Sequence, residues 1–102
     1  MSSDPTILDP KDPEEVIPVA FDFSKLALTT ISAPVVTATR HEGAADATPS
    51  AILSGSAVVS GTTVVQKIIN GVSGCTYALR CRVDTPEGYR WAEVVYLPVL
   101  TK

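Results

Sequence analysis

The sequence is poor in the residues that do chemistry. It holds one histidine, His41, two cysteines, one methionine and one tryptophan, and aromatic residues make up 6%. One histidine and two cysteines do not supply a zinc ligand set at the usual spacings, so no metal is expected. His41 sits beside Glu42 with no nucleophile context around it, which gives no triad. Gly71-Val72-Ser73-Gly74 lacks the following helix and lysine of a phosphate cradle. Asp84 and Glu87 flank a turn, where solvent keeps a carboxylate from acting as a general acid. No catalytic residue and no cofactor are expected, and the chain reads as a non-enzyme. Basic residues are also scarce, with 8 Lys and Arg against 11 Asp and Glu and a net charge of −3. No window offers the basic stripe that nucleic-acid binding requires. No apolar run approaches the ~20 residues of a membrane helix. The polar, acidic start has no basic and apolar leader, so synthesis in a cytoplasm without export is the expectation. Cys75 and Cys81 would lie about 20 Å apart along one strand, beyond bridging range. Both are expected to be reduced thiols, Cys81 the more buried.

What is present is enough hydrophobe for one core, at 45% hydrophobic and 19% charged residues over 102 positions. The hydrophobes are mostly Val, Ala, Ile and Leu in short runs broken by Gly, Pro and Ser. Strands are expected at Val16 to Phe23, where Pro18 marks an edge, then at Leu26 to Ile31 and Val35 to Thr39. After a polar loop over Glu42 to Ser50 come Ala51 to Leu53 and Ala57 to Val59, kinked at Ser54-Gly55-Ser56, and then Val64 to Ile69. Thr76 to Asp84 alternates cleanly, with Tyr77, Leu79, Cys81 and Val83 on one face and Ala78, Arg80, Arg82 and Asp84 on the other. Tyr89 to Val99 closes the series. About seven strands with regular turns and no convincing helix predict an all-β fold, a sandwich or barrel, with the sandwich expected.

Charge and patterning suggest where partners attach. Residues 1–15 sum to −4, leaving the rest of the chain near +1. Three Asp-Pro pairs make residues 1–14 an extended acidic arm, and residues 15–102 form the domain. The arm is either a disordered leader or a strap that docks along a neighbouring subunit, and its removal should leave the domain folded. Arg80, Arg82 and Arg90 share one hairpin, either as a positive patch for a neighbour's acidic arm or as a solvated face. In the last strand, from Trp91 to Val99, both parities carry large apolar residues. Either a bulge switches the phase or another chain covers the outer face. The candidate partner contacts are therefore Asp9, Asp12, Glu14, Arg80, Arg82, Arg90, Trp91 and Tyr96.

Asn70-Gly71-Val72-Ser73-Gly74-Cys75-Thr76-Tyr77 resembles the turn and strand of fibronectin-III and immunoglobulin-like modules. That likeness implies a structural turn at Gly71 and Gly74 and a corner in which the Tyr77 hydroxyl is tied to upstream backbone. Lys11-Asp12-Pro13-Glu14-Glu15-Val16, the Gly71 to Tyr77 turn, Val83 to Arg90 and a last strand ending Leu97-Pro98-Val99 follow in one order. Together they are similar to a family of small tailed-bacteriophage virion proteins, some described as fibre-tail adaptors and others as unassigned head or neck proteins. Departures are Ala20-Phe21-Asp22-Phe23 in place of a tryptophan-bearing strand, Pro86-Glu87-Gly88 in the hairpin, and the Ala44 to Pro49 loop. The resemblance implies an Ig-like sandwich without catalytic residues, made in a host bacterial cytoplasm and built into a virion. Its implied partners are portal or neck, tail, fibre or capsid subunits, in a multi-copy or homo-oligomeric arrangement with neither nucleic acid nor membrane. Three functions stay open: a neck or tail adaptor that holds fibres or joins virion parts, a capsid decoration protein, and a stand-alone bacterial protein- or carbohydrate-binding module.

Overall fold

The computed structural model describes residues 6–24 and 30–102. Its strands are β1 (Thr6–Ile7), β2 (Ile17–Asp22), β3 (Ser32–Gly43), β4 (Leu53–Ser60), β5 (Thr63–Ile68), β6 (Cys75–Asp84) and β7 (Arg90–Pro98), and a 3-10 turn spans Pro49–Ile52. They form two sheets, ordered β1-β7-β6-β3 and β2-β5-β4. The protein is an all-β sandwich. The strand expected at Leu26 to Ile31 falls largely outside the described residues.

Alternation decides which face each strand buries. On β6, Cys75, Tyr77, Leu79, Cys81 and Val83 point inward, and on β7 Val95 and Leu97 do the same. Opposite them lie Val19 and Phe21 of β2 and Val64 and Ile68 of β5, with Phe23, Ile31 and Ile52 closing the ends. Both cysteines are free and buried. Burial, with Glu93 nearby, pushes the Cys81 thiol up to about 11.

Two irregularities were half-visible in the sequence. Of the two short strands expected around Ser54-Gly55-Ser56, Ala57 to Val59 lies within a longer strand, β4, that starts at Leu53 and has a register shift between Ser54 and Val58. Ala51 and Ile52 belong instead to the 3-10 turn before it. The buried Gln66 amide holds that shift by donating to the carbonyls of Ser54, Gly55 and Lys67, so the extra backbone oxygens are not left unmet. β3 begins earlier and ends later than the Val35 to Thr39 run, crossing shifts at Ser32/Val35 and Arg40/Glu42.

The N-terminal segment departs from both readings of it. From Thr6 onward it lies along its own domain: Thr6 and Ile7 pair in parallel with Val95 and Tyr96 of β7. Leu8 N–H then donates to Tyr96 O at 2.9 Å, and Lys11 N–H to Pro98 O at 3.0 Å. Two short stretches flanked by proline make these bonds, which is why no strand pattern announces them. The anchor is Lys11, 1% exposed, whose ammonium donates to Asn70 O at 2.7 Å and Asp12 O at 2.9 Å. Burial holds its pKa below the ordinary 10.5, against the pull of Glu15 and Asp12. Asp12 is also occupied within the domain, accepting from Glu14 N–H and Lys102 N–H at 2.8 and 2.7 Å. Glu15 completes the clasp with an ion pair to Lys102 at 2.9 Å.

This clasp changes what truncation should do. Lys11→Met leaves buried carbonyls without a donor and should cost about 1–3 kcal/mol in urea unfolding. Deleting residues 1–7 should cost far less than deleting 1–14. Equal midpoints for the two truncations would show that Lys11 carries no stability.

Candidate functional site

Two groups of residues concentrate the polar and exposed chemistry: a buried corner at one end of the sandwich and the outer face of the larger sheet. The corner centres on Tyr77, which is fully buried. Its hydroxyl accepts from Val72 N–H at 2.8 Å and donates to Asp46 Oδ2 at 2.6 Å. Asp46 also accepts from Thr48 N–H at 2.9 Å. The Tyr77 hydroxyl and the Thr48 amide hold the Asp46 carboxyl below its ordinary 3.8, while desolvation and then Asp46 push the phenol well above its usual range. Gly71 packs close by, at φ +106°, where a β-carbon would meet the Val99 side chain at 3.0 Å. Gly43, also left-handed, is packed so tightly that a β-carbon would collide with Gly74 O, and Gly74 N–H donates to Val99 O at 2.7 Å. The corner therefore joins the 44–48 loop, the 70–74 turn and the chain's end.

The outer face is built from the other parity. β6 and β7 pair without interruption from Thr76/Pro98 to Asp84/Arg90, so no bulge switches the phase of the last strand. Its second apolar row, Val94, Tyr96 and Pro98, faces outward beside Ala78 and Arg80. Across β6 the same rows reach Val35, Thr37 and Thr39 of β3. Val94 is 36% exposed, and Ile7, at the β1 edge, is 71% exposed.

The structure separates the candidate contact residues. Arg80, Arg82, Arg90 and Tyr96 share the outer face. Arg90 is held by Asp84 at 2.8 Å, and the pairing lowers the Asp84 pKa and raises that of Arg90, so the three-arginine patch is in effect two. Trp91 lies opposite Val83 on the inward parity, at the hairpin end where the second sheet no longer covers it. It stands 6.5 Å from the Tyr89 ring, centroid to centroid. Asp9 and Glu14 are exposed on the N-terminal segment.

His41 is the residue the sequence reading set aside. The register shift between Arg40 and Glu42 leaves it as an extra residue on β3, and such a bulge re-aims a side chain. Its ring sits 4.4 Å from that of Tyr96. Ile7, His41, Glu42, Thr76, Tyr96 and Pro98 line a shallow groove of about 410 Å³. Nothing local in Arg40-His41-Glu42 signals the shift, since a bulge is a property of the pairing. Among the described residues, no group of His, Cys, Asp or Glu could hold a metal ion.

A closed core, buried thiols, polar groups spent on tying loops and a broad half-apolar outer sheet define a structural module that acts through its surface. The family described as podophage GP4 fiber-tail adaptor protein gp77 matches residues 11–98, and the chain belongs to that family. The match opens at the buried Lys11 and closes at the last residue of β7. No curated protein and no solved structure matches the chain. Membership makes it a bacteriophage structural protein of the virion, of an adaptor class and not an enzyme class, whose role implies contact with other virion proteins such as tail fibres.

Tyr77→Phe removes an acceptor for Val72 N–H and a donor to Asp46, and should destabilise the domain by about 1 kcal/mol or slightly more. An unchanged denaturation midpoint would show that the hydroxyl ties nothing together. Asp46 supplies stability above its unfolded value of 3.8 that is lost as pH falls through its lowered folded value. Wild type should therefore lose stability more steeply than Asp46→Asn in acid titration followed by circular dichroism. Parallel curves would contradict the Asp46 link.

Proposed function

We propose that the chain is a multi-copy adaptor at the neck or tail of the particle, made in the host cytoplasm, and that it joins fibre and tail through the outer face of the β1-β7-β6-β3 sheet. The observation that carries this is the uninterrupted β6–β7 register. It forces Val94, Tyr96 and Pro98 outward in a row on a sheet that, among the described residues, has no second layer over that side. A lone antiparallel sheet face in water is ordinarily polar, and an apolar row on it marks a contact surface. The strand order supports an immunoglobulin-like reading: β3-β6-β7 against β2-β5-β4 corresponds to the C-F-G and B-E-D arrangement, with β1 parallel to β7. In this reading the segment before Lys11 is an edge guard for β7 on which Asp9 is exposed, and Glu14 is exposed just after the Lys11 anchor. The family match favours fibre–tail joining over capsid decoration or carbohydrate binding.

The experiment is complementation of a phage lacking the gene with Val94→Lys combined with Tyr96→Ser. Both positions are outward, so the purified variant should still unfold cooperatively, within about 1 kcal/mol of wild type. Particles should assemble heads but lack the adaptor or its fibres in negative-stain images and gel analysis. Full fibre occupancy with the folded variant in place would overturn the assignment of this face.

A further inference from the structure

Resting on the adaptor reading, we infer that the outer face of β3, β6 and β7 receives a partner-protein segment that carries carboxylates among apolar side chains, with Arg80 and Arg82 as the recognising pair. The two arginines are two residues apart on β6, so their Cα atoms stand about 7 Å apart on one face. Arg80 lies between Val94 and Thr37, and Arg82 between Ala92 and Val35. The Nε of Arg82 is buried with no hydrogen-bond partner among the described residues. A buried guanidinium donor without an acceptor is costly, and a carboxylate is the acceptor that fits its fork.

Among the described residues no carboxylate of this face hydrogen-bonds the Arg82 Nε. Asp84, on the outward row, feels the charge of Arg82 but makes its hydrogen bond to Arg90, and Glu42 stands at the far end of β3, opposite Thr76. The nearer acid on β7, Glu93, has the inward parity of Val95. Around the arginines the surface is short and mostly apolar: Val35, Ala78, Ala92, Val94 and the Tyr96 ring, with Thr37 and Thr39 on the β3 side. Two positive groups set in such a surface suit an apolar segment with one or two acids. Nucleic acid would call for a basic stripe, and the protein as a whole carries −3.

The test uses the full chain labelled with 15N, which reports arginine Nε–H groups directly. The probe is a capped hexapeptide alternating valine with glutamate, and its controls are the valine–lysine counterpart and a single-stranded oligonucleotide. The Arg82 Nε–H resonance should move with the acidic peptide, together with the amides of Thr37 and Val94. Binding should weaken about tenfold in Arg82→Gln and in Arg80→Gln, each keeping a folded spectrum. An Arg82 resonance that stays in place at millimolar peptide overturns the proposal, as does an equal response to the lysine peptide or the oligonucleotide. Loss of self-association in the same variants would also overturn it, because the occupant would then be a second copy. Mass spectrometry of purified particles separates the two levels: absence of the chain sinks the adaptor reading, whereas its presence with a silent Arg82 sinks only the acidic partner.

Discussion

One phenol sets the geometry of this protein. The Tyr77 hydroxyl reaches Val72 N–H on one side and the Asp46 carboxylate on the other, and so pins β6 at its entry into the larger sheet. A strand with a period of two has no tolerance for a slip of one residue, which would turn its buried row outward. With Tyr77 held, Leu79, Cys81 and Val83 must fill the core, and Arg80 and Arg82 must face away from it. β7 inherits the same phase through an unbroken ladder. The exposed Val94 beside Arg80 is thus a consequence of what happens at the buried end.

The same end is where the segment from Lys11 to Glu15 and the residues after β7 are secured. The Lys11 ammonium caps Asn70 O in the turn that Tyr77 holds, and Asp12 and Glu15 bind the backbone and side chain of Lys102. Thr6 and Ile7 then cover part of the β7 edge. In the proposed reading, partner-facing chemistry and stabilising chemistry are divided between different parts of the fold. The acids of residues 12–15 serve mainly the clasp, while the arginines of β6 stay on an outward face. Under that proposal, a join between virion parts could be altered on that face without touching the groups that keep the sandwich closed.

Much of this was legible in the sequence, for reasons that differ by element. β6 announced itself because every second residue from Tyr77 to Val83 is buried, and the same alternation placed Arg80 and Arg82 outside. The two-sided last strand drew attention to Tyr96 and Trp91 together, but it did not separate the outward Tyr96 from Trp91, which has the inward parity at the hairpin end. β1 was invisible because two residues between prolines carry no period, and a lysine in an acidic leader gives no sign that it will be buried. Asp46, 31 residues from Tyr77, and His41, shifted by a bulge, are products of pairing at long range. Local patterning does not encode such pairings. The family resemblance supplied the virion setting, and the match over residues 11–98 established it.

A cryo-EM reconstruction of the intact tail, at a resolution that traces strands, measures the central claim directly. The account expects density of another virion protein against the outer face of β3, β6 and β7, within reach of Arg80, Arg82, Val94 and Tyr96. A map in which that face is bare to solvent while the β2-β5-β4 face makes the contacts would contradict it.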